Sequence, residues 1–77
     1  MKSFKVDGIG YPQQVIKAEH PKKAARKFAE SNNMLGELLN NGGKEFIAVV
    51  SMYYQVWEFM VEVISGEKLK ITKIAEW

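Results

Sequence analysis

The chain has 77 residues, of which 47% are hydrophobic and 12% aromatic, a composition that supplies a folded core and argues against disorder. The absence of cysteine excludes disulfides, thiolate metal sites and thiol nucleophiles. The net charge of +2 is too small to indicate nucleic-acid binding by itself, but residues 1–30 carry +4 and the remainder −2, an asymmetry that bears on partners.

A chain of this length predicts one domain, residues 1–77. Its first predicted element is a strand over residues 3–7, where Phe4 and Val6 share one face. The glycines and proline of residues 8–12 predict a turn, and residues 14–19 predict a second strand that completes a hairpin.

A helix is predicted to begin at Pro21, because proline suits the first helical position, where its missing N–H costs nothing. At about 100° per residue, apolar and charged side chains fall on opposite faces. The apolar face comprises Ala24, Ala25, Phe28 and Ala29, and the charged face comprises Lys23, Arg26, Lys27 and Glu30. The helix is expected to end near residues 31–33, and the spacing of apolar residues within 34–39 indicates a second short helical turn.

Three further strands are predicted in the second half of the chain. Residues 46–50 are apolar on both faces, as expected of an interior strand. Residues 55–64 alternate and place Trp57, Phe59, Val61 and Val63 on one face. Residues 65–68 predict a hairpin turn into a last strand over residues 69–77.

The register of the last two strands follows from their faces. A one-residue slip would move a whole strand to the other face, so we favour a loop with an odd number of residues, which places Val63 opposite Ile71 and Phe59 opposite Ala75. The predicted fold is α+β: a mostly antiparallel sheet of about five strands in ββαβββ order, with one main helix packed on one face and the other face partly open.

Catalysis is not expected from this sequence. His20 is the only histidine, so histidines and cysteines do not provide a converging metal-ligand set. Glu58 and Glu62 share a strand face about 13 Å apart at roughly 3.3 Å per residue, whereas working carboxylate pairs lie roughly 5–9.5 Å apart. The glycine pairs near residues 8–10 and 42–43 lack the remaining residues of dinucleotide and phosphate loops. We therefore predict no enzyme activity, cofactor, metal or small-molecule substrate.

The start of the predicted helix carries lysines where acidic residues are favoured, since a helix N-terminus bears about half a positive charge. Lys22 and Lys23 are either incidental solvated charges or part of an anion site with first-turn N–H groups and His20. His20 alternatively is an ordinary residue of the capping region. Arg26 and Lys27 would extend the patch by one turn, so these five side chains form the candidate site for phosphate or an acidic protein.

Tyrosines in predicted connections form a second candidate surface. Tyr53 and Tyr54 lie in or beside a strand connection, and Tyr11 lies in another turn. Exposed tyrosines anchor protein interfaces or stack on bases, or alternatively one ring of the pair covers the core. Trp57 and Trp77 are assigned to the core or its edge. The last strand offers a sheet edge for pairing with a second copy or a partner.

We interpret the chain as a non-catalytic binding or regulatory module that contacts a protein through the sheet edge, the tyrosine and methionine surface and the basic helix. Its expected partner is another protein or a second copy, in a homodimer through a sheet edge. The alternative is nucleic-acid-backbone binding through the basic helix residues Lys22, Lys23, Arg26 and Lys27, which the six glutamates of the second half disfavour. Because no run approaches about 18 apolar residues and the N-terminus lacks an apolar stretch, we expect a cytoplasmic location and no membrane partner.

Overall fold

The computed structural model describes residues 1–8, 10–40, 43–51, 54–64 and 68–77, and of residues 39 and 40 the backbone alone. The elements follow in the order β1 (Lys2–Gly8), β2 (Tyr11–Ala18), α1 (Pro21–Ser31), α2 (Met34–Asn40), β3 (Lys44–Ser51), β4 (Val56–Ile64) and β5 (Lys68–Glu76). All strand pairs are antiparallel, and the sheet order is β2-β1-β3-β4-β5. The predicted α+β class with a five-stranded antiparallel sheet is confirmed.

Side-chain alternation gives the sheet two different faces. The side chains of one face join those of both helices in a single buried cluster. Its members are Phe4, Val6, Ala18, Ile47, Val49, Phe59, Val61 and Ile71 from the sheet, and Ala24, Ala25, Phe28, Ala29, Met34 and Leu38 from the helices. The central strand of the sheet is β3. Its residues 46–50 were predicted to form an interior strand because they are apolar on both faces.

Helix α1 starts with proline and buries a face made mostly of alanine, which allows its backbone to lie close to the sheet. Phe28 fills the remaining space, and its ring lies 5.9 Å from that of Tyr11 in an edge-to-face arrangement. The helix ends where the Asn32 N–H donates to the Phe28 carbonyl at 3.1 Å. Residues 34–40 form α2, a full helical segment where the sequence indicated a short turn. Neither of the helices described has the length and apolar character needed to cross a membrane.

The sheet face opposite the helices is called the open face. It combines apolar side chains with charged side chains of both signs, and Lys44, Glu58 and Glu62 lie on the same two strands, β3 and β4, as most of its apolar residues. Its members include Ser3, Lys5, Asp7, Val15, Lys17, Lys44, Phe46, Ala48, Val50, Val56, Glu58, Met60, Glu62, Ile64, Lys70 and Thr72. Phe46 remains 43% exposed and Val15 65% exposed, so the apolar part of this face is accessible.

The register between β4 and β5 differs from the predicted one by two residues. Val63 lies opposite Leu69 and Val61 lies opposite Ile71, so the predicted pairing of Val63 with Ile71 is wrong. A shift of two residues leaves every side chain on the same face, and burial patterns therefore do not distinguish the two registers.

A β-bulge interrupts the same strand pair near its end. Phe59 lies opposite Lys73 rather than the predicted Ala75, and Ala75 lies opposite Glu58. Ile74 is therefore the extra residue on β5. The bulge ends the regular part of β5 at about residue 73.

Candidate partner-binding surfaces

His20 is the N-cap residue of α1, with extended backbone angles of φ −151° and ψ 164°. Its carbonyl accepts from the Lys23 and Ala24 N–H groups at 3.1 and 3.2 Å, and its ring Nδ1 accepts from the Lys23 N–H at 3.3 Å. The ring therefore uses a first-turn donor within the chain, which favours a capping role for His20 over a role as an anion ligand.

The four cations of α1 point in different directions around the helix. Lys22 and Arg26 line cavities between α1 and β5. Lys27 lies on the other side, where its Nζ donates to the Lys17 carbonyl of β2 at 2.7 Å. Lys23 is exposed and lies between these two directions on the helical wheel. The basic stripe predicted from the sequence is therefore divided between the two flanks of the helix.

The α1–β5 groove is defined by two cavities that follow each other along the helix. One, of about 440 Å³, is lined by Arg26, Ala29, Glu30, Asn33, Leu35, Lys68 and Leu69. The other, of about 280 Å³, is lined by His20, Pro21, Lys22, Trp57, Phe59 and Lys73. The groove thus has an apolar floor between two basic walls, one from the helix and one from the edge strand.

The charge of the α1–β5 groove is mainly positive. Lys73 forms an ion pair with Glu76 at 2.8 Å, and the second Glu76 oxygen accepts from the Gln55 amide at 2.9 Å. The hydrogen bond and the charge of Lys73 lower the pKa of Glu76 below its usual value. Apart from this pair, the lining holds three cations and one carboxylate: Lys22, Arg26, Lys68 and Glu30.

Strand β5 is an edge strand, so its outer backbone groups have no strand partner within the described part of the chain. Three lysines along it, Lys68, Lys70 and Lys73, would be brought together by pairing with a second β5. Lysines on edge strands are a recognised means of opposing such self-association. The predicted homodimer through a sheet edge is therefore disfavoured at β5, whereas an acidic segment would meet a favourable charge.

The other edge strand, β2, is less available. Pro12 lacks the N–H that a sixth strand would need at its position. On the helix side, the Asn32 amide donates to Gln14 at 3.1 Å, and Lys27 donates to the Lys17 carbonyl. These contacts tie β2 to α1 and leave β5 as the accessible edge.

The structure places the described tyrosines at opposite ends of the sheet. Tyr54 lies beyond Ser51 in the β3–β4 connection and is 84% exposed, with a left-handed backbone at φ 63°. Tyr11 lies at the other end, opposite Gly8, and packs on Phe28. Burial, together with nearby Glu37 and Glu45, raises the pKa of Tyr11. Tyr53 lies outside the described residues.

The two tryptophans differ in exposure. Trp57 is half-buried, lies edge-to-face with Phe4 at 6.0 Å and lines the α1–β5 groove. Trp77 is 69% exposed, so its assignment to the core is wrong. Its backbone exchanges hydrogen bonds with Val56 at 2.8 and 3.3 Å, which extends the β4–β5 pairing to the last residue.

A further cavity of about 480 Å³ lies at the end of the sheet near the start of α1. Its lining includes Phe4, Trp57 and His20 together with the opposite charges of Lys2 and Glu19. Because these charges offset each other and His20 is committed to capping, the cavity shows no preference for a class of ligand.

Lys68 and Lys73 are groove residues that the sequence reasoning did not single out. The sequence does show three lysines within the nine residues of the last strand, which could have indicated a basic edge. Their place beside α1 depended on the strand order, however, which the sequence pattern did not specify. The chain matches no protein-family model, and no curated protein or solved structure is significantly similar to it.

Proposed function

We propose that the chain is a non-catalytic protein-binding module that receives an acidic, extended segment of a partner protein along β5. The segment adds a sixth strand to the sheet, and its acidic side chains meet the basic walls of the α1–β5 groove. The observation that carries this proposal is the placement of Lys22, Arg26 and Lys68 along a groove beside an edge strand.

Backbone pairing supplies the affinity in this mode of recognition, and side-chain pockets supply the specificity. The regular part of β5 before the bulge at Ile74, residues 68–73, offers six residues for pairing. Alternate side chains of the added strand point toward the groove, where carboxylates meet Lys22, Arg26 and Lys68 and the methylene groups next to them contact Leu69. The intervening side chains lie on the other face of the strand, where they can be apolar. A suitable ligand therefore alternates apolar and acidic residues.

Nucleic-acid-backbone binding is less well supported because it requires the α1 cations to act together. Lys27 is engaged with the Lys17 carbonyl on the opposite flank of α1. An edge strand and an apolar groove floor also add nothing to phosphate binding, whereas both contribute to peptide binding.

Fluorescence polarisation with labelled octapeptides tests the proposal. The probe is an alternating Val/Glu peptide, and the controls are a Val/Lys peptide and a Val/Glu peptide whose central residues are replaced by proline. The proline substitutions keep most of the charge of the peptide but remove backbone N–H donors, so a site that binds by strand addition rejects this peptide. We expect binding of the first peptide alone, weakening as salt rises.

Arg26→Glu and Lys23→Glu form a matched pair of variants. Both reverse one exposed charge on α1, but Arg26 lines the groove and Lys23 does not. We expect Arg26→Glu to weaken the Val/Glu peptide about ten-fold at low salt and Lys23→Glu about two-fold or less. Equal effects of the two substitutions, or equal binding of the proline peptide, would overturn strand addition at β5. Tighter binding of a DNA duplex than of the peptide would favour the nucleic-acid alternative.

A further inference from the structure

The open face is a surface that the proposed peptide site does not use. Both helices pack on the opposite side of the sheet, and the described residues place no element over this face. Its apolar side chains on β3 and β4 form two cross-strand pairs, Phe46 with Met60 and Val50 with Val56, and the Ala48–Glu58 pair lies between them. Accessible apolar side chains grouped on one sheet face in this way are a common feature of interaction sites.

One pair of opposite charges on the open face, Lys44 and Glu62, is arranged in a self-complementary way. Along the β3–β4 pair, Lys44 lies opposite Glu62, Phe46 opposite Met60, Ala48 opposite Glu58, and Val50 opposite Val56. A two-fold axis that lies between two stacked sheets and runs parallel to β3 and β4 exchanges the two strands. Each residue on β3 or β4 has a cross-strand partner within its own chain. In the dimer, that residue faces the same partner residue of the other copy.

In this arrangement, Lys44 of each copy faces Glu62 of the other, and both symmetric ion pairs form. Phe46 of each copy faces Met60 of the other, a favourable sulfur–aromatic pair. Stacked sheets align to within about 30°, which keeps the central rows in contact. Such reciprocity is what an interface between identical subunits requires.

The area of the face is sufficient for a weak specific dimer. The four overlapping strands, β1, β3, β4 and β5, at about 4.8 Å spacing and with roughly eight residues at about 3.3 Å each, give about 500 Å² per copy. The total of about 1,000 Å² lies at the lower limit for specific interfaces.

We propose that the open face binds a second copy of this chain, as a two-fold symmetric face-to-face dimer centred between β3 and β4. The α1–β5 grooves then lie on the outer sides of the dimer and remain accessible. This inference is independent of the peptide proposal, because it uses the opposite face of the sheet.

Sedimentation-equilibrium ultracentrifugation tests the dimer. We expect the mass of the unmodified chain to rise from 8.8 kDa toward twice that value between micromolar and millimolar concentration. Lys44→Glu and Glu62→Lys should each weaken self-association at least ten-fold, because each places like charges opposite each other twice. An equimolar mixture of the two variants should restore association as a heterodimer, since the carboxylate introduced at position 44 of one chain then faces the ammonium group introduced at position 62 of the other.

This recovery separates contacts between chains from contacts within one chain, because mixing does not change the cross-strand pair inside either variant. Phe46→Glu and Val15→Glu supply a second matched pair. Both introduce a carboxylate at an exposed apolar position of the open face, but the two-fold axis leaves β2 at the periphery. We expect Phe46→Glu to abolish the dimer and Val15→Glu to change its dissociation constant less than three-fold.

A constant mass of 8.8 kDa up to millimolar concentration would overturn the proposal. Failure of the mixture to associate, or equal effects of Phe46→Glu and Val15→Glu, would also overturn this arrangement of the two copies. Peptide binding at β5 would survive each of these results, and loss of peptide binding would leave the dimer intact.

Discussion

Substitution of Lys22 or Lys23 tests the account in two ways, because both lysines should affect stability but only Lys22 should affect peptide binding. Both lie in the first turn of α1, which contains no acidic residue. Cations there oppose the helix dipole, and carboxylates would favour it, by about 0.3–1 kcal/mol each. We therefore expect Lys22→Glu and Lys23→Glu each to raise the free energy of unfolding by about 0.5–1 kcal/mol at low salt, which corresponds to a few degrees in melting temperature.

Their effects on peptide binding should differ. Lys22 lines the α1–β5 groove with Trp57 and Lys73, whereas Lys23 is exposed away from it. Lys22→Glu should thus stabilise the fold while weakening the acidic peptide about five- to ten-fold, and Lys23→Glu should stabilise without a comparable loss. Thermal melts by circular dichroism and peptide titrations, both at about 20 and 500 mM salt, measure the two effects, which should shrink together as salt rises.

Stabilisation of neither variant at low salt would refute the dipole argument. Equal loss of peptide affinity in both variants would refute the division of the α1 cations. A stabilised Lys22→Glu variant with unchanged peptide affinity would show that Lys22 does not contact the ligand.

Three further predictions concern the fold. Phe28 is fully buried in the core, so Phe28→Ala should lower the free energy of unfolding by about 3–5 kcal/mol in urea titrations, and a loss under about 1.5 kcal/mol would contradict its central place. Tyr54 holds a left-handed backbone at φ 63°, so Tyr54→Gly should raise stability by about 0.5–1 kcal/mol, whereas a loss in the same titration would show that the ring makes a stabilising contact. Burial and the carboxylates of Glu37 and Glu45 raise the pKa of Tyr11 above 10.0, so its contribution to stability is full below pH 10 and is lost as pH rises further. Tyr11→Phe should therefore reduce the loss of stability between pH 9.5 and 11, and an unchanged pH profile would contradict the shift.

The faces of the strands and of the helix were predictable because burial imposes periodicity on the sequence. The alternation from Trp57 to Val63 and the alanine-rich face of α1 both correspond to residues that line the core. The β4–β5 register was not predictable in the same way, since a two-residue shift preserves the faces. The bulge at Ile74 was also not predictable. One extra residue in a strand leaves no local signature in the alternation of apolar and polar residues.

The candidate site was predictable only in part. The unfavourable lysines of the first helical turn identified α1 as a charged surface, but the division of that surface depends on which strands flank the helix. The sheet order places β5 rather than β3 or β4 at the edge, and Lys68 and Lys73 enter the groove for that reason. The role of His20 depended on a single ring hydrogen bond to the Lys23 N–H, which spacing does not determine.

The most direct test of strand addition is a titration of the ¹⁵N-labelled chain with the Val/Glu octapeptide, followed by amide chemical shifts and hydrogen exchange. The proposal predicts the largest shifts and new exchange protection at alternate residues of 68–73, with smaller shifts at Lys22 and Arg26 and little change at the β2 edge. Changes spread over Lys23 and Lys27 without protection of β5, or changes confined to β2, would contradict it.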